Sequence, residues 1–341
     1  MKSINTQIMN LAKQRQNALT KPPGSLGQLE RIAIQLAGCQ GKVCPEITRP
    51  WISVFAADHG ITQEGVSAFP AIVTQEMVKN FSAGGAAITV ISQQEKACFE
   101  VVDVGVFNDL SPLPKLVSER VAAGSFNFSE QPAMTAEMLQ KAMKVGKRAV
   151  TRALDSEADL FIGGEMGIGN TSAATAIISQ VCQQPIAELV GRGTGVNDEQ
   201  LAHKQSVLES ALTLHKLEMQ TPEEVLRCLG GLEIAALTGA YLECAKVGLP
   251  MVVDGVIACS AALIAFDMQP KIKDWMLFGH QSVEPAQQAV FKHMDVSPIL
   301  DLSMRLGEGT GAAIAIPVIR LACVLHANMA TFEEAQVSDA N

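Results

Sequence analysis

Residues 159–175, DLFIGGEMGIGNTSAAT, join a short apolar run to a glycine-rich loop and then to a segment with helical periodicity. The run DLFI does not alternate strictly between apolar and polar residues, which is typical of a strand covered on both faces. Glycine lets the following backbone turn sharply, and we predict that a helix begins near Thr171, with Thr171 or Ser172 as its cap. A strand, a glycine-rich turn and a helix in this order indicate one unit of a parallel α/β sheet.

Four similar runs are spread along the chain and are also predicted strands. They are WISVFAA (51–57), FEVVDVGV (99–106), PMVV (250–253) and WMLF (275–278). Longer stretches with helical periodicity lie between the runs, at 135–155, 199–217 and 222–246. This alternation predicts an α/β fold with a mostly parallel sheet flanked by helices.

The composition of the 341-residue chain fits a folded protein and argues against a nucleic-acid partner. Hydrophobic residues make up 48% of the chain and charged residues 18%, which is enough for a sizeable core. The net charge is −9 and no basic stripe is present, so we predict no nucleic-acid binding. The local cluster Lys141, Lys144, Lys147 and Arg148 has the spacing of one solvated helix face.

Signals for targeting and for metal binding are weak. The N-terminus lacks the apolar region of a signal peptide. The apolar stretch 247–266 contains Pro250, Asp254 and Gly255, which would be costly in a lipid-facing helix, so we predict a buried strand, a turn and a buried helix there and no membrane contact. The eight cysteines form no CxxC pair and the six histidines show no metal spacing. This favours reduced core thiols, a cytoplasmic location and no metal site.

The N-terminal region and the C-terminal tail differ in character from the rest of the chain. Residues 5–19 and 28–39 are predicted helices, separated by KPPGSLG (21–27), a turn with two prolines. This region could form a small helical subdomain, and the polar tail 336–341 is expected to fray.

The loop GGEMGIGNT (163–171) lies where a parallel sheet binds its ligands, just beyond the carboxyl end of a strand. Free amides at a helix N-terminus attract phosphate. The loop is neither a Walker loop nor GxGxxG, because Ser172 stands where the third glycine would be. Alone it therefore does not distinguish a phosphate site from an ordinary tight turn. A carboxylate repels phosphate, so Glu165 is expected to face a base, a ribose hydroxyl or a cationic ring.

Two further glycine-rich segments precede predicted helices. GRGTGVND (191–198) is followed by a helix with Lys204, which either reaches a phosphate as a point charge or is a solvated surface residue. In LGEGTG (306–311), Glu308 is either a helix cap matched to the helix dipole or a general base. As a base it would lie on an unstrained, partly desolvated loop, where its pKa would rise toward neutrality.

The segment DHGITQEGVSAFPAIVTQEM (58–77) is predicted to be a loop that leads into a helix. Ser67 and Gln75 could line a pocket for a flat aromatic base, with Phe69 stacking on it. The alternative is an ordinary surface loop.

Seven segments occur together in one order. They are KPPGSLG (21–27), AADHGI (56–61), EGVSAFP (64–70), NFSAGGAAI (80–88), GGEMGIGNT (163–171), GRGTG (191–195) and LGEGTGAA (306–313). As a set they closely resemble the nicotinate-nucleotide–dimethylbenzimidazole phosphoribosyltransferase family of cobalamin biosynthesis, over roughly residues 5–330. The resemblance implies a homodimer with a Rossmann-like parallel sheet. It also implies a large α/β catalytic domain at 30–325 and a small helical domain formed by 1–29 with 326–341.

Motif matching to this family implies a role for each candidate residue. Glu308 takes the general-base position, and Glu165 takes that of the second active-site carboxylate. The base-binding residues are Ser67, Gln75 and Leu306, beside the stacking residue Phe69. The residues for phosphate or ribose are Gly164, Gly167, Gly169, Asn170, Thr171, Lys204, Asp254, Gly255 and Ser282.

The implied reaction transfers the phosphoribosyl group of nicotinate mononucleotide to a benzimidazole-type base, and it requires no metal or other cofactor. Two alternatives stay open: a nucleosidase, in which water replaces the base, and a non-catalytic nucleotide-binding protein. A nucleosidase would leave the aromatic-base pocket without a purpose. A binding protein does not need two carboxylates near a phosphate. The residues do not determine whether the preferred base is dimethylbenzimidazole, another benzimidazole, a purine or a phenolic.

Overall fold

A computed structural model describes residues 1–110, 112–191 and 197–338. Within these ranges seven strands form one sheet: β1 (Pro50–Ala57), β2 (Cys98–Gly105), β3 (Leu116–Ser118), β4 (Leu160–Met166), β5 (Met251–Val253), β6 (Met276–Ser282) and β7 (Pro298–Met304). Their spatial order is β3-β2-β1-β4-β5-β6-β7, and every neighbouring pair is parallel. The predicted α/β fold with a Rossmann-like parallel sheet is confirmed.

Fourteen helices in the described ranges flank this sheet. They are α1 (Thr6–Ala18), α2 (Gln28–Gln40), α3 (Ile72–Ala83), α4 (Ala87–Gln94), α5 (Ala136–Asp155), α6 (Asn170–Cys182), α7 (Ile186–Leu189), α8 (Asp198–His215), α9 (Pro222–Leu229), α10 (Leu232–Val247), α11 (Val256–Met268), α12 (Ala286–Met294), α13 (Thr310–Ile314) and α14 (Ile316–Asn328). Two short 3₁₀ helices, Gly60–Glu64 and Pro270–Trp275, complete the set.

Both faces of the sheet are buried, which explains the continuous apolar runs. In β1, Ile52 and Val54 belong to the core on one face, whereas Phe55 and Ala57 belong to the core on the other. Successive strand residues point to opposite faces, so each face needs its own apolar residues. The apolar stretch 247–266 likewise forms β5 and α11, as predicted, and both are buried.

Small residues bring α5 and α10 very close together. A Cβ atom on Gly146 would lie 2.7 Å from the Ala240 nitrogen, and one on Gly239 would lie 2.7 Å from Met143 Cα. Neither position has room for a side chain, because a methyl group there would overlap the backbone of the facing helix. This close packing suits a chain with few aromatic residues.

The structure corrects the sequence-based elements in three places. The predicted helix at 222–246 is two helices, because Gly230 and Gly231 are extended between α9 and α10. Strands β3 and β7 were not predicted: β3 has three residues, and β7 is a largely exposed edge strand without a continuous apolar run. The cap of α6 is Gly169, with a φ of 98°, and neither Thr171 nor Ser172 caps this helix.

The two ends of the described chain contact each other. Arg15 donates hydrogen bonds to the carbonyl oxygens of His326 and Ala327, at 2.8 and 2.7 Å, and Leu19 forms a bridge with Thr331. The division into a large and a small domain stays a prediction. By length and composition the helical run Thr310–Asn328 could cross a membrane, but 56% of that window is buried, as in the core helix of a globular protein.

The strand order places a topological switch point between β1 and β4. The chain runs outward from β1 to β2 and β3 on one side, and through β4 to β7 on the other. In open parallel sheets the loops diverge at this point and leave a crevice beyond the carboxyl ends of the strands. The sequence 163–171 emerges from β4 at this crevice.

Candidate active site

A cleft of about 120 Å³ lies beyond the carboxyl ends of β4, β5 and β6. It brings together residues from four separate parts of the sequence. The predicted residues that line it are Glu165, Gly167, Asn170, Thr171, Gly255, Ser282, Leu306 and Glu308. The loops 163–171 and 306–311 therefore meet in one site, as the family resemblance implied.

Glu165 joins these two loops. It is 5% exposed at the end of β4, and the side-chain amide of Asn170 donates a hydrogen bond to its Oε2. The backbone amide of Glu308 donates a longer bond, 3.4 Å, to Oε1. Burial, followed by the charges of Asp254 and Glu233, raises the pKa of Glu165 well above its ordinary value. The neutral form of this carboxyl is therefore more favourable than it is in an exposed glutamate.

Glu308 presents a buried carboxyl oxygen without a partner. The residue is 6% exposed, and its Oε2 has no hydrogen bond. Burial, with a smaller contribution from Asp254, raises its pKa to about 7. The residue has a φ of 64° between two glycines that also have positive φ, so the expected unstrained loop is wrong. Strain held at one carboxylate points to a functional position.

The loop 163–171 fits against the end of β1 because its glycines lack side chains. A Cβ on Gly167 would lie 3.2 Å from the His59 ring, and one on Gly169 would lie 2.9 Å from the Thr62 methyl group. His59 is fully buried and bonds through Nε2 to Glu233 at 2.6 Å. The packed imidazole supports the loop that opens α6.

Lys204 is buried, so its interpretation as a solvated surface residue is wrong. It is 2% exposed on α8, and its Nζ donates a hydrogen bond of 3.0 Å to Thr171 Oγ1. Burial lowers the pKa of Lys204 to about 8, against the opposing effect of Glu284. The side chain still carries its charge at neutral pH, beside the first turn of α6. Of the segment GRGTGVND, residues 192–196 lie outside the described residues.

Three predicted base-binding residues do not line the cleft. Phe69 is 46% exposed, and its amide donates to Ser67 Oγ at 3.3 Å. Gln75 accepts a 3.4 Å bond from Asn108. The segment nevertheless contacts the loop 163–171, since the amide of Ile168 donates to Thr74 Oγ1 at 3.1 Å. The fourth predicted residue, Leu306, lines the cleft and is 55% exposed.

Four other predicted residues, Gly164, Gly169, Lys204 and Asp254, support the cleft without lining it. Gly164 packs beneath the backbone of Glu308, and Asp254 is 1% exposed with hydrogen bonds to backbone amides. His280 and Arg305 also line the cleft, although the sequence assigned no role to either residue. Both had a signal in the sequence: His280 follows an apolar run, and Arg305 directly precedes LGEGTG.

Comparison with known proteins connects this site to one family. A family model described as "Phosphoribosyltransferase" matches residues 1–337. A protein of Pseudomonas putida (strain W619) named nicotinate-nucleotide–dimethylbenzimidazole phosphoribosyltransferase is 49% identical over 336 residues, which cover 98% of this chain and 96% of that protein. A protein of the same name from Pseudomonas aeruginosa (strain UCBPP-PA14) is 51% identical over 333 residues, covering 98% of this chain and 95% of that protein.

A solved structure has the same fold over nearly the whole chain. The crystal structure of the enzyme of this name from Thermus thermophilus superposes with a TM-score of 0.94 at 40% sequence identity. The match covers 99% of this chain and 100% of that chain. The similarity therefore includes both the sheet and the loops that form the cleft.

Proposed function

We infer, because this chain belongs to the phosphoribosyltransferase family, that it transfers the phosphoribosyl group of nicotinate mononucleotide to 5,6-dimethylbenzimidazole. The products are α-ribazole 5′-phosphate and nicotinate, and the former supplies the lower ligand of cobalamin. The observation that carries the assignment of the site is the buried, unpartnered Oε2 of Glu308 in a cleft shared with the loop 163–171.

The chemistry requires one proton acceptor. Nicotinate in the mononucleotide is an N-alkylated pyridinium, so it leaves ribose C1′ without being protonated. The incoming benzimidazole attacks C1′ through its unprotonated ring nitrogen, and the proton on its other ring nitrogen must be lost as the new C–N bond forms. Glu308 accepts this proton through Oε2, and a pKa of about 7 suits a general base at neutral pH. Attack on the face opposite to the leaving group converts the β-nucleotide into an α-linked product.

Glu165 and the loop 163–171 hold the other parts of the nucleotide. The amides at the start of α6, with the charge of Lys204 beside Thr171, bind the phosphate. A cationic pyridinium or a ribose that gains positive charge lowers the pKa of the nearby Glu165, because an opposite charge favours the ionised carboxylate. In this form Glu165 stabilises the charge that develops at C1′.

The pKa of Glu308 sets the expected pH dependence. Below about pH 7 the carboxyl is protonated and cannot accept a proton, so activity should rise with pH through this region. We expect kcat/KM for the base to fall by roughly tenfold per pH unit below the midpoint, since this ratio reports ionisations of the free enzyme. Initial rates from pH 5.5 to 8.5 would measure it. The substrates and the other ionisable groups of the site, such as Glu165 and Lys204, also titrate, and a Glu308→Gln variant retains all of those ionisations. A profile that is the same in both proteins would remove Glu308 as the titrating group.

Lys204→Ala should raise the KM for nicotinate mononucleotide. A hydrogen bond to a charged group contributes roughly 1.5–3 kcal/mol, which corresponds to an increase in KM of about ten- to a hundredfold. Lys204→Met, which keeps most of the buried volume, should behave similarly. Lys147→Ala removes an exposed lysine of α5 and serves as the control. An unchanged KM in both Lys204 variants would exclude a phosphate contact.

The proposed reaction is tested by product analysis with nicotinate mononucleotide and a panel of bases. Formation of α-ribazole 5′-phosphate only when dimethylbenzimidazole is present supports the transferase. Release of nicotinate at the same rate without a base would identify a nucleosidase. Binding without turnover would identify a nucleotide-binding protein.

We also propose that the enzyme is a cytoplasmic homodimer with no nucleic-acid or membrane partner. The family resemblance supports the dimer, and Leu321 and Val324 give α14 an exposed apolar surface, each being about half exposed. The eight cysteines are free thiols, which suits a reducing compartment. Light scattering of the purified protein would measure the assembly.

A further inference from the structure

We propose that Asp254 does not touch substrate but is a positioning residue, which clamps the 307–312 turn and so holds Glu308 in the cleft. This proposal rests on the proposed role of Glu308 as the proton acceptor. It differs from the role that motif matching implied for Asp254, a contact with ribose or phosphate.

Both carboxyl oxygens of Asp254 are directed at the backbone of this turn. Oδ2 accepts a hydrogen bond from the Gly309 amide at 3.0 Å, and Oδ1 accepts one from the Ala312 amide at 2.8 Å. Gly309 is the residue before α13 and has no side chain to cap that helix. Asp254, which follows β5, therefore supplies the cap from a distant part of the chain. The residue is 1% exposed, so its carboxylate is committed to the turn.

The turn needs an external anchor because its conformation is unfavourable. Gly307, Glu308 and Gly309 have φ values of 86°, 64° and 85° in succession. A non-glycine residue in this region persists only where the surroundings hold it there. Glu308 cannot supply the anchor through its own Oε2, which has no hydrogen bond. The clamp therefore leaves that oxygen free for the substrate.

The clamp is itself held in place from β6 and α12. Gln287 is fully buried, and its Nε2 donates to the carbonyl oxygens of Asp254, at 3.3 Å, and His280, at 3.1 Å. This amide ties the ends of β5 and β6 together. Gln287 thus holds the backbone carbonyl of Asp254, and the amides of Gly309 and Ala312 hold its carboxylate.

The same carboxylate affects the ionisation of Glu308. Burial is the main cause of the raised pKa of Glu308, and the negative charge of Asp254 adds to it. The other ionisable groups that line the cleft with Glu308 are Glu165 on β4, His280 on β6, Glu284 after β6 and Arg305 on its own loop. Burial raises the pKa of Asp254, and His280, whose Nε2 lies 3.7 Å from Asp254 Oδ1, opposes this increase. Loss of the Asp254 charge should therefore move the Glu308 titration to lower pH.

Asp254→Asn separates this role from a substrate contact. The variant keeps the shape of the side chain but places an NH₂ group against one backbone amide and removes the charge. We expect kcat to fall by roughly a hundredfold, because a displacement of about 1 Å at a catalytic group can have this effect. The KM for nicotinate mononucleotide should stay within a factor of about three, and the pH midpoint of kcat/KM should move below that of the wild type. A raised KM with an unchanged pH midpoint would overturn the proposal.

Asp159→Asn is a matched control. Asp159 also accepts hydrogen bonds from backbone amides, those of Thr48 and Arg49, but it precedes β4 at the opposite end of the sheet. This variant should keep the kcat and the pH midpoint of the wild type. Asp254→Glu keeps the negative charge, but its longer side chain places the carboxylate at the wrong distance from the amides of Gly309 and Ala312. It should therefore lower kcat, while the pH midpoint of kcat/KM stays close to that of the wild type. If Asp254→Asn does not fold, Asp254→Glu provides the test. A raised KM for nicotinate mononucleotide with a normal kcat in that variant would overturn the proposed clamp.

A titration without substrate separates this proposal from the proposed reaction. Infrared difference spectra of the substrate-free protein, recorded as a function of pH, would follow the carboxyl band of Glu308. This band is assigned by its absence from the spectra of Glu308→Gln. We expect its midpoint to fall when Asp254 becomes Asn, whichever reaction the enzyme catalyses. An unchanged midpoint would overturn the electrostatic part of the proposal. Failure of the wild type to form α-ribazole 5′-phosphate would instead overturn the proposed function.

Discussion

Glu308→Gln is expected to retain the fold and to lose about 10²–10⁴-fold in turnover, the usual contribution of a general base. The substitution keeps the size of the side chain but removes the oxygen that accepts the proton. It should cost little stability, because Oε2 has no hydrogen bond in the folded protein. Binding of nicotinate mononucleotide should change little, because the proposed binding site of its phosphate is the loop 163–171. Single-turnover rates with saturating nucleotide, together with thermal unfolding, would measure both effects.

A matched control for this variant is Glu157→Gln. Glu157 has a similar positive φ, 56°, but it is an exposed residue after α5 that pairs with Arg49. Turnover should be normal in this variant, which would show that a neutral side chain in the left-handed region is not itself harmful. Near-normal turnover in Glu308→Gln would remove the assigned role. An increase in KM alone would make Glu308 a binding residue.

The fold could be predicted from the sequence because each central strand is buried on both faces. A short continuous apolar run such as WISVFAA favours a strand in a covered sheet, and all five predicted strands form. The two strands that were missed lack this constraint. β7 is exposed along much of its length, and β3 consists of three residues, so neither has a hydrophobic pattern that would distinguish it from a loop.

Part of the site could also be predicted from the sequence. Glu165 and Glu308 were notable as carboxylates among glycines, the family resemblance implied their roles, and the structure brings both into one cleft. The burial of Lys204 could not be predicted, because it depends on how α8 packs against α6. The same holds for Asp254, whose partners are 55 and 58 residues further along the chain. Residue type indicates which groups are chemically able to act, whereas tertiary packing decides which of them touch the substrate.

The glycines of the two loops have a steric purpose that links β4 to Glu308. A Cβ atom on Gly164 would lie 2.6 Å from the Glu308 carbonyl carbon and 2.9 Å from the Gly309 nitrogen. A Cβ on Gly307 would lie 2.5 Å from Glu165 Oε1. The absence of side chains therefore lets the two carboxylate loops pack directly on each other. The position of Glu308 is therefore set by two contacts of its loop: the packing of Gly164 against the Glu308 backbone, and the hydrogen bonds that Asp254 accepts from Gly309 and Ala312.

Gly164→Ala is therefore expected to displace Glu308 and to lower kcat by roughly a hundredfold or more, since a shift of about 1 Å at a reacting group has an effect of this size. The added methyl group meets backbone atoms of Glu308 and Gly309, which cannot rotate away as a side chain would. Stability should also fall, so the two effects must be separated. Gly239→Ala provides the comparison, because its Cβ would meet the backbone of Met143 between α5 and α10, away from the cleft. That variant should lower the unfolding temperature while the folded fraction keeps normal kcat. If Gly164→Ala lost stability but kept full turnover per folded molecule, direct packing of β4 on the Glu308 loop would not be what positions the base.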